Sequence, residues 1–448
     1  MGKYFGTDGI RGVVNDTLDV PLAYKTGGAA ATVLKKTGVA RPKVAIGKDT
    51  RISCDMLESA LAAGLCSAGA DVLLIGVLPT PAVAMLTTHM GCDLGIVISA
   101  SHNPFEHNGI KIFNSHGFKL SDGLEAEVER LIDNDAEILK MRDGDIGAIS
   151  HEYEGSAEKY IDKLVDAAEH KISGKILLDC ANGAASFTAA EIFRRLGVDV
   201  TVVSNKPNGI NINVDCGSTH IENLQKLVPA GEYDIGFAFD GDAHRCFAVD
   251  ERGSLIDGDQ IMGVCARAMK ASSKLKGGAL VGTIASNSGM NVFAENEGLE
   301  FLTSDVGDRK VLELMQERGC NLGGETSGHT IFLDDATTGD GQLTAVKFMG
   351  YLCASGVKAS ELCACVPKFP QSQLSVTVTG GKEAKERIMA DPRLAEAIAE
   401  NGKILAGNGR VLIRPSGTEE LIRVTVEAES MELSEKVANS LSELIKSL

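Results

Sequence analysis

Tryptophan is absent from this 448-residue chain, and aromatic residues make up only 4% of it. Without aromatic platforms the chain is poorly equipped to stack nucleic-acid bases or polysaccharide rings. Basic residues are the minority, 44 Lys and Arg against 61 Asp and Glu, a net charge of -17. That balance opposes the phosphate neutralisation on which nonspecific nucleic-acid binding depends, so no nucleic-acid partner is expected. Long apolar runs are missing too. The opening MGKYFGTDGIRG is charged within its first residues and reads neither as a secretory signal nor as a membrane span. The small-residue segments near 27–34 and 59–63 are too short and interrupted to cross a bilayer, so no membrane partner is expected. The eleven cysteines include no C-x-x-C, and Cys363 and Cys365 form only a C-x-C. An odd, scattered set of thiols points to a reducing compartment, and a cytoplasmic location is expected.

What the chain has is 44% hydrophobic residues, 50 glycines and enough length for about three or four domains. Apolar runs and amphipathic segments alternate as in α/β folds. Strands are predicted over 44–46, 72–75 and 94–98, and helices over 55–68 and 81–89. Between strand and helix, Lys48-Asp49-Thr50-Arg51 forms a charged group that could be an ion-pair cluster fixing its loop. The run 94–98 reads as a buried parallel strand and opens onto Ser101-His102-Asn103-Pro104. A hydroxyl just past a strand's carboxyl end is where open α/β sheets keep ligands, although Ser, Asn and Pro also make ordinary turns. The order is not G-x-S-x-G, and adjacent side chains are expected to point apart, so His102 is not expected to act as base on Ser101. A serine that carries a group fits better, with Lys111 suited to a phosphate.

The same placement recurs along the chain. Helix 157–168, strand 176–180, helix 184–196 and strand 198–203 lead to strand 235–239, which opens onto Asp240-Gly241-Asp242-Ala243-His244-Arg245 before strand 246–250. Alternate carboxylates around glycine hold hard divalent cations, or else they shape a hairpin turn. A helix-loop-helix calcium site does not fit, because Arg245 stands where that loop needs glycine. Strand 279–283, helix 287–297, strand 299–303 and helix 309–317 precede Gly324-Glu325-Thr326-Ser327-Gly328-His329. Glu325 and Ser327 suit vicinal sugar hydroxyls, and His329 is either a proton carrier or a structural histidine. Beyond Pro367 and Pro370, an α+β region of about eighty residues is expected, with a final helix showing Leu433, Val437, Leu441 and Leu444 on one face. Its loop Arg414-Pro415-Ser416-Gly417-Thr418-Glu419, with Arg423 following, suits a phosphate monoester.

ISASHNP, DGDAHR, GETSGH and RPSGTE occur in the order and at the spacing of the α-D-phosphohexomutase superfamily, and with Arg11 in the opening the whole chain resembles that family. The resemblance implies an α/β fold of four domains around a central cleft. Three similar mixed α/β domains would carry the phosphoserine loop (1–153), the metal-binding loop (154–254) and the sugar-binding loop (255–366). A smaller C-terminal α+β domain (367–448) would bind phosphate. KYFGTDGIRG, Ser99, NIN with CGSTH at 211–220, and VGDR at 306–309 are most similar to the bacterial branch that interconverts glucosamine 6-phosphate and glucosamine 1-phosphate, feeding UDP-N-acetylglucosamine and cell-wall synthesis. The alternatives are phosphomannomutase or phosphoglucomutase activity, or a catalytically degenerate sugar-phosphate-binding relative.

By position in the family's motifs, Ser101 would carry the phosphoryl group and, with Asp240 and Asp242, ligate Mg²⁺. Lys111 and His329 would serve as acid and base, with Arg11, His102 and Arg245 in support. Glu325 and Ser327 would hold sugar hydroxyls, and Arg414, Ser416, Gly417, Thr418 and Arg423 the phosphate that is not transferring. Glucosamine 1,6-bisphosphate or a kinase would prime Ser101, and a homodimer is expected from relatives. The chain departs from the family at His244, where a third aspartate is usual. If the imidazole coordinates, Zn²⁺, Mn²⁺, Co²⁺ or Ni²⁺ is favoured over Mg²⁺. Asp305, His107 and Thr326 are further departures.

Overall fold

The structure, a computed structural model, describes residues 2–6, 8–405, 409–416 and 420–448. The strand Leu94–Ile98 is buried at every position, as a strand covered on both faces must be, and its sequence is apolar rather than alternating. It pairs in parallel with Lys43–Lys48 on one side and antiparallel with His107–Asn114 on the other. The expectation of a parallel strand therefore holds for one edge only, and the serine loop is the connection of a hairpin. His107–Asn114 escaped the sequence reading because asparagines and Lys111 interrupt its apolar pattern. Seven strands make this sheet, in the order Phe5–Gly6, Gly9–Val13, His107–Asn114, Leu94–Ile98, Lys43–Lys48, Asp71–Val77, Ile149–His151. Its core gathers Val44, Ile46, Val72, Ile96 and Ile98 from the sheet and Leu57, Leu61 and Leu65 from the helix Cys54–Ser67.

The hairpin arrangement is repeated. Ile235–Phe239 is parallel to Lys175–Asp179 and antiparallel to Cys246–Asp250, within a five-stranded sheet completed by Asp199–Val203 and Leu255–Ile256. Leu322–Gly324 is parallel to Ala279–Thr283 and antiparallel to Thr330–Phe332. These last two strands, Leu322–Gly324 and Thr330–Phe332, are too brief to show in the pattern, and the first is also glycine-rich. The helix expected over 184–196 is broken into a 3₁₀ turn, Ala184–Phe187, and an α-helix, Ala189–Arg195.

Contacts divide the chain into two units, Met1–Thr283 with Leu302–Ala364, and Ile284–Phe301 with Cys365–Leu448. In the second unit, Leu421–Glu427 lies between Gln371–Thr377 and Arg410–Pro415, antiparallel to both. The helix Met431–Ser447 buries Val437 and Leu441 on that sheet, with Leu433 and Leu444 partly buried beside them, as its periodicity predicts. The eleven cysteines are thiols rather than disulfides. No described helix is long and apolar enough to cross a membrane.

Candidate active site

Ser101 is fully buried and adopts φ 56°, the left-handed region that a non-glycine residue seldom occupies. Its Oγ donates to Asp240 Oδ2 at 2.8 Å and lies 3.2 Å from His102 Nδ1. The expected divergence of the Ser101 and His102 side chains is thus overturned, because a left-handed residue turns its side chain out of the alternation that extended backbone imposes. Burial, with Arg245 close by, lowers the His102 pKa to about 4, so the imidazole is neutral. Arg11 donates Nη1 to the Ala100 carbonyl at 2.9 Å and pairs with Asp8. The Asp49–Arg51 pair lies under the same loop and holds it, in line with the ion-pair cluster expected there.

The hairpin 235–250 carries the second loop. Asp240, Asp242 and His244 are buried, and their ligand atoms lie within 4.8 Å of one another. His244 Nδ1 is 2.6 Å from Asp242 Oδ1 and 2.9 Å from Asp240 Oδ2, so the imidazole turns into the carboxylate pair. Burial opposes its charge, but Asp240 and Asp242 raise its pKa to about 9. Asp242 Oδ2 also accepts from Thr80 Oγ1 at 2.6 Å and Lys111 Nζ at 2.9 Å. Thr80 opens the helix Thr80–His89, whose positive end favours a carboxylate. Burial alone would raise the Asp242 carboxyl, yet His244 and Lys111 hold it well below the usual range. Gly241 is needed at its position, since a Cβ there would stand 2.6 Å from the Ser101 carbonyl oxygen. The serine and metal loops are therefore in direct backbone contact.

Lys111, 2% exposed, also reaches Asp8 Oδ2 at 3.1 Å. Asp8 and Asp308 share Lys119, at 2.8 and 2.6 Å. Burial works against ionisation of Asp308, but Lys119 and His329 bring its pKa to about 2. His329 accepts from the Gly339 N–H at Nε2, 3.2 Å, and its Nδ1 is buried with no hydrogen-bond partner among the described residues. Burial lowers its pKa to about 3, so the imidazole is neutral. His329 packs edge-on against His244, ring centroids 5.2 Å apart. Glu325 accepts from the Gly307 N–H at 3.0 Å and is raised by burial; Ser327 is half-buried on the same loop. Asp305 is exposed, and His107 offers its carbonyl to Arg51.

In the second unit, Arg414 and Arg423 are direct cross-strand partners on one face of a hairpin. Ser416 is buried at its tip, its carbonyl accepting from Lys385 Nζ at 2.5 Å. Gly417, Thr418 and Glu419 lie outside the described residues. No role is legible in the sequence for Asp8, Thr80, Lys119, Asp308 or Asn213. Asp8 and Asp308 stood inside motifs already noticed, whereas Thr80 and Lys119 carry no local signal and are recruited by the tertiary fold.

Family models of phosphoglucomutase/phosphomannomutase match this chain in four segments: α/β/α domain I over residues 2–138, domain II over 158–253, domain III over 257–369, and the C-terminal domain over 375–444. The phosphoglucosamine mutase of Caldicellulosiruptor saccharolyticus is 49% identical over 450 residues, covering 100% of this chain and 99% of its own. That of Bacillus subtilis is 47% identical over 449 residues with the same coverage. Among solved structures, a phosphoglucomutase/phosphomannomutase family protein from Burkholderia thailandensis superimposes with a TM-score of 0.79 at 24% identity, covering 98% of this chain and 97% of its own. An Aspergillus fumigatus N-acetylphosphoglucosamine mutase, in complex with GlcNAc-6P and magnesium, gives 0.66 at 20% identity over 86% of this chain and 93% of its own.

Proposed function

The chain belongs to the phosphoglucomutase/phosphomannomutase family of the α-D-phosphohexomutase superfamily, and from that premise we propose that it interconverts glucosamine 6-phosphate and glucosamine 1-phosphate, supplying UDP-N-acetylglucosamine synthesis. It is an isomerase that moves a phosphoryl group within one sugar. The observation that carries the mechanism is Ser101 Oγ bonded to Asp240 Oδ2 at 2.8 Å, in direct contact with a loop of converging metal-ligating side chains.

In the first half-reaction the Oγ–P bond of phosphorylated Ser101 breaks as a bond forms to the free sugar hydroxyl, giving glucosamine 1,6-bisphosphate. Lys111 and His329 are assigned as the acid and base candidates for moving the hydroxyl proton, by likeness to the family's positions. The bisphosphate turns over, and the other phosphoryl group returns to Ser101. The donor set fits a divalent cation, because Asp240 Oδ2, Asp242 Oδ1 and His244 Nδ1 face one another with a phosphoserine oxygen to complete them. Held by Asp240, Asp242 and His244, such a cation, Mg²⁺ by analogy with the magnesium in the Aspergillus complex, would supply charge neutralisation for the phosphoryl oxygens. Arg11 and Arg245 each have a buried Nε without a hydrogen-bond partner among the described residues, donors suited to phosphate. Glu325 and Ser327 hold the sugar hydroxyls. Arg414 and Arg423, side by side, are suited to the second phosphate, since an anion between two guanidinium groups offsets the repulsion of directly opposed like charges. By position in the family's motif, Ser416, Gly417 and Thr418 would hold the same phosphate.

Ser101 is primed by glucosamine 1,6-bisphosphate or a kinase. We infer a cytoplasmic location, supported by the reduced thiols, and a homodimer, which sedimentation would test. The domain division at 153/154, 254/255 and 366/367 is likewise our assignment, testable by limited proteolysis.

Purified protein with Mg²⁺ or Mn²⁺ and catalytic bisphosphate is expected to interconvert the two glucosamine phosphates. A higher kcat/KM for mannose 6-phosphate or glucose 6-phosphate would overturn the substrate. Absence of turnover with every divalent metal, while sugar phosphate still binds, would mark a binding protein.

A further inference from the structure

The left-handed backbone at Ser101 is held from both sides. Its N–H donates to Ser99 Oγ at 2.9 Å, and that hydroxyl donates to Asp49 Oδ2 at 2.6 Å. Its carbonyl accepts two side chains from distant parts of the chain, Arg51 Nη2 at 3.0 Å and Asn213 Nδ2 at 2.9 Å. Both donors also reach the Asn103 carbonyl, at 2.8 and 3.1 Å. Arg51, 2% exposed, spends its remaining N–H groups on Asp49 and on the Pro104 and His107 carbonyls. Asn213 is 6% exposed and comes from the NIN stretch, its own N–H donating to the Ala181 carbonyl at 2.9 Å. A Cβ on Gly241 would stand 3.0 Å from Asn213 Nδ2, so the same amide lies against the metal loop.

A non-glycine residue stays in the left-handed region only where its surroundings over-determine it. One donor would satisfy the Ser101 carbonyl; two rigid ones, on separate elements, also fix its direction. We propose that Asn213 and Arg51 are positioning residues for phosphoryl transfer, acting through the Ser101 carbonyl to keep Oγ aimed at Asp240. The proposal rests on the mutase reading above. Asn213 lies outside the metal ligands and the sugar-binding loop, and acts through the backbone of the residue that reacts.

The experiment compares Asn213→Ala and Asn213→Asp with the wild type. The Ala variant is expected to lose about 10- to 100-fold in kcat with KM nearly unchanged, the scale of a misplaced reacting group. The Asp variant keeps the shape but has no N–H to donate, and it is expected to fall at least as far. Wild-type kcat in the Ala variant, or recovery in the Asp variant, would overturn the proposal. A crystal structure of Asn213→Ala gives a readout independent of turnover: Ser101 is expected to leave the left-handed region, and an unchanged φ with Oγ still on Asp240 would also overturn it. Arg51→Lys, which retains charge but loses the fork, is expected to show the same split between kcat and KM; if it does not fold, the Asn213 pair decides. Wild-type protein without mutase activity would count against the functional reading, while the backbone result still judges this one.

Discussion

Ser101 and Asp240, 139 residues apart, share a hydrogen bond of 2.8 Å that brings the hydroxyl of one loop onto a carboxylate of the next. If Ser101 carries the phosphoryl group, Ser101→Ala removes the only atom to which it can be attached. Turnover is expected to vanish while calorimetry still detects glucosamine 6-phosphate binding. Intact-mass measurement should find one phosphate on a fraction of the wild type and none on the variant. Residual mutase activity would remove the serine from its role.

His244 brings nitrogen into a site otherwise made of oxygen. Imidazole favours Mn²⁺, Co²⁺, Ni²⁺ and Zn²⁺ relative to Mg²⁺. Titration calorimetry of wild type and His244→Asp with Mn²⁺ and Mg²⁺ is expected to show the Mn²⁺ preference falling by about tenfold in the variant, the scale on which changes around a metal site alter affinity. An identical preference in both proteins would exclude the imidazole from coordination.

Lys119 joins Asp8 and Asp308, and removing its charge leaves two carboxylates facing each other. Both members of the Lys119–Asp308 pair keep some exposure, 15% and 19% of their side chains. Lys119→Met is therefore expected to cost about 1–3 kcal/mol, between a surface and a buried pair. The pH dependence has a definite sign. The folded-state pKa of Asp308, about 2, lies below its ordinary 3.8. Its stabilising contribution is therefore full above pH 3.8 and is lost as pH falls through about 2. Acid unfolding of Asp308→Asn, measured beside the wild type, should show a stability gap that closes across that window. A gap independent of pH would refute the assignment.

Gly241→Ala would place a methyl group 2.6 Å from the Ser101 carbonyl oxygen and 2.7 Å from Ile212 Cδ1. Overpacking of this kind costs about 1–3 kcal/mol. The melting temperature is expected to fall, and kcat to fall with it because the two loops are forced apart. Unchanged kcat would show that their close approach is dispensable.

Among the described residues, the elements that the sequence marked most clearly are those whose burial is total. Leu94–Ile98 and Ile235–Phe239 are apolar throughout, Ala279–Thr283 is apolar up to its terminal threonine, and all three are bounded by turn chemistry and lie where expected. Among the strands missed are His107–Asn114, which polar residues interrupt, and Leu322–Gly324 and Thr330–Phe332, each only three residues long. Pairing with a neighbour, rather than local preference, makes them strands.

Residue order alone set the chemistry on offer: a serine, two alternate aspartates with His244, a glutamate among glycines, and arginines around a Ser-Gly-Thr segment, in an order that identifies the family. Their assignments came from packing between distant parts of the chain. It turned His102 towards Ser101, set His244 between two carboxylates, and left His329 neutral. It drew Thr80 and Lys119 into the charge network, and placed Arg51 and Asn213 on the Ser101 carbonyl. Those outcomes depend on backbone direction and on contacts between residues up to 189 positions apart. Local pattern records neither, because a side chain's partner and its pKa are set by the elements that close over it.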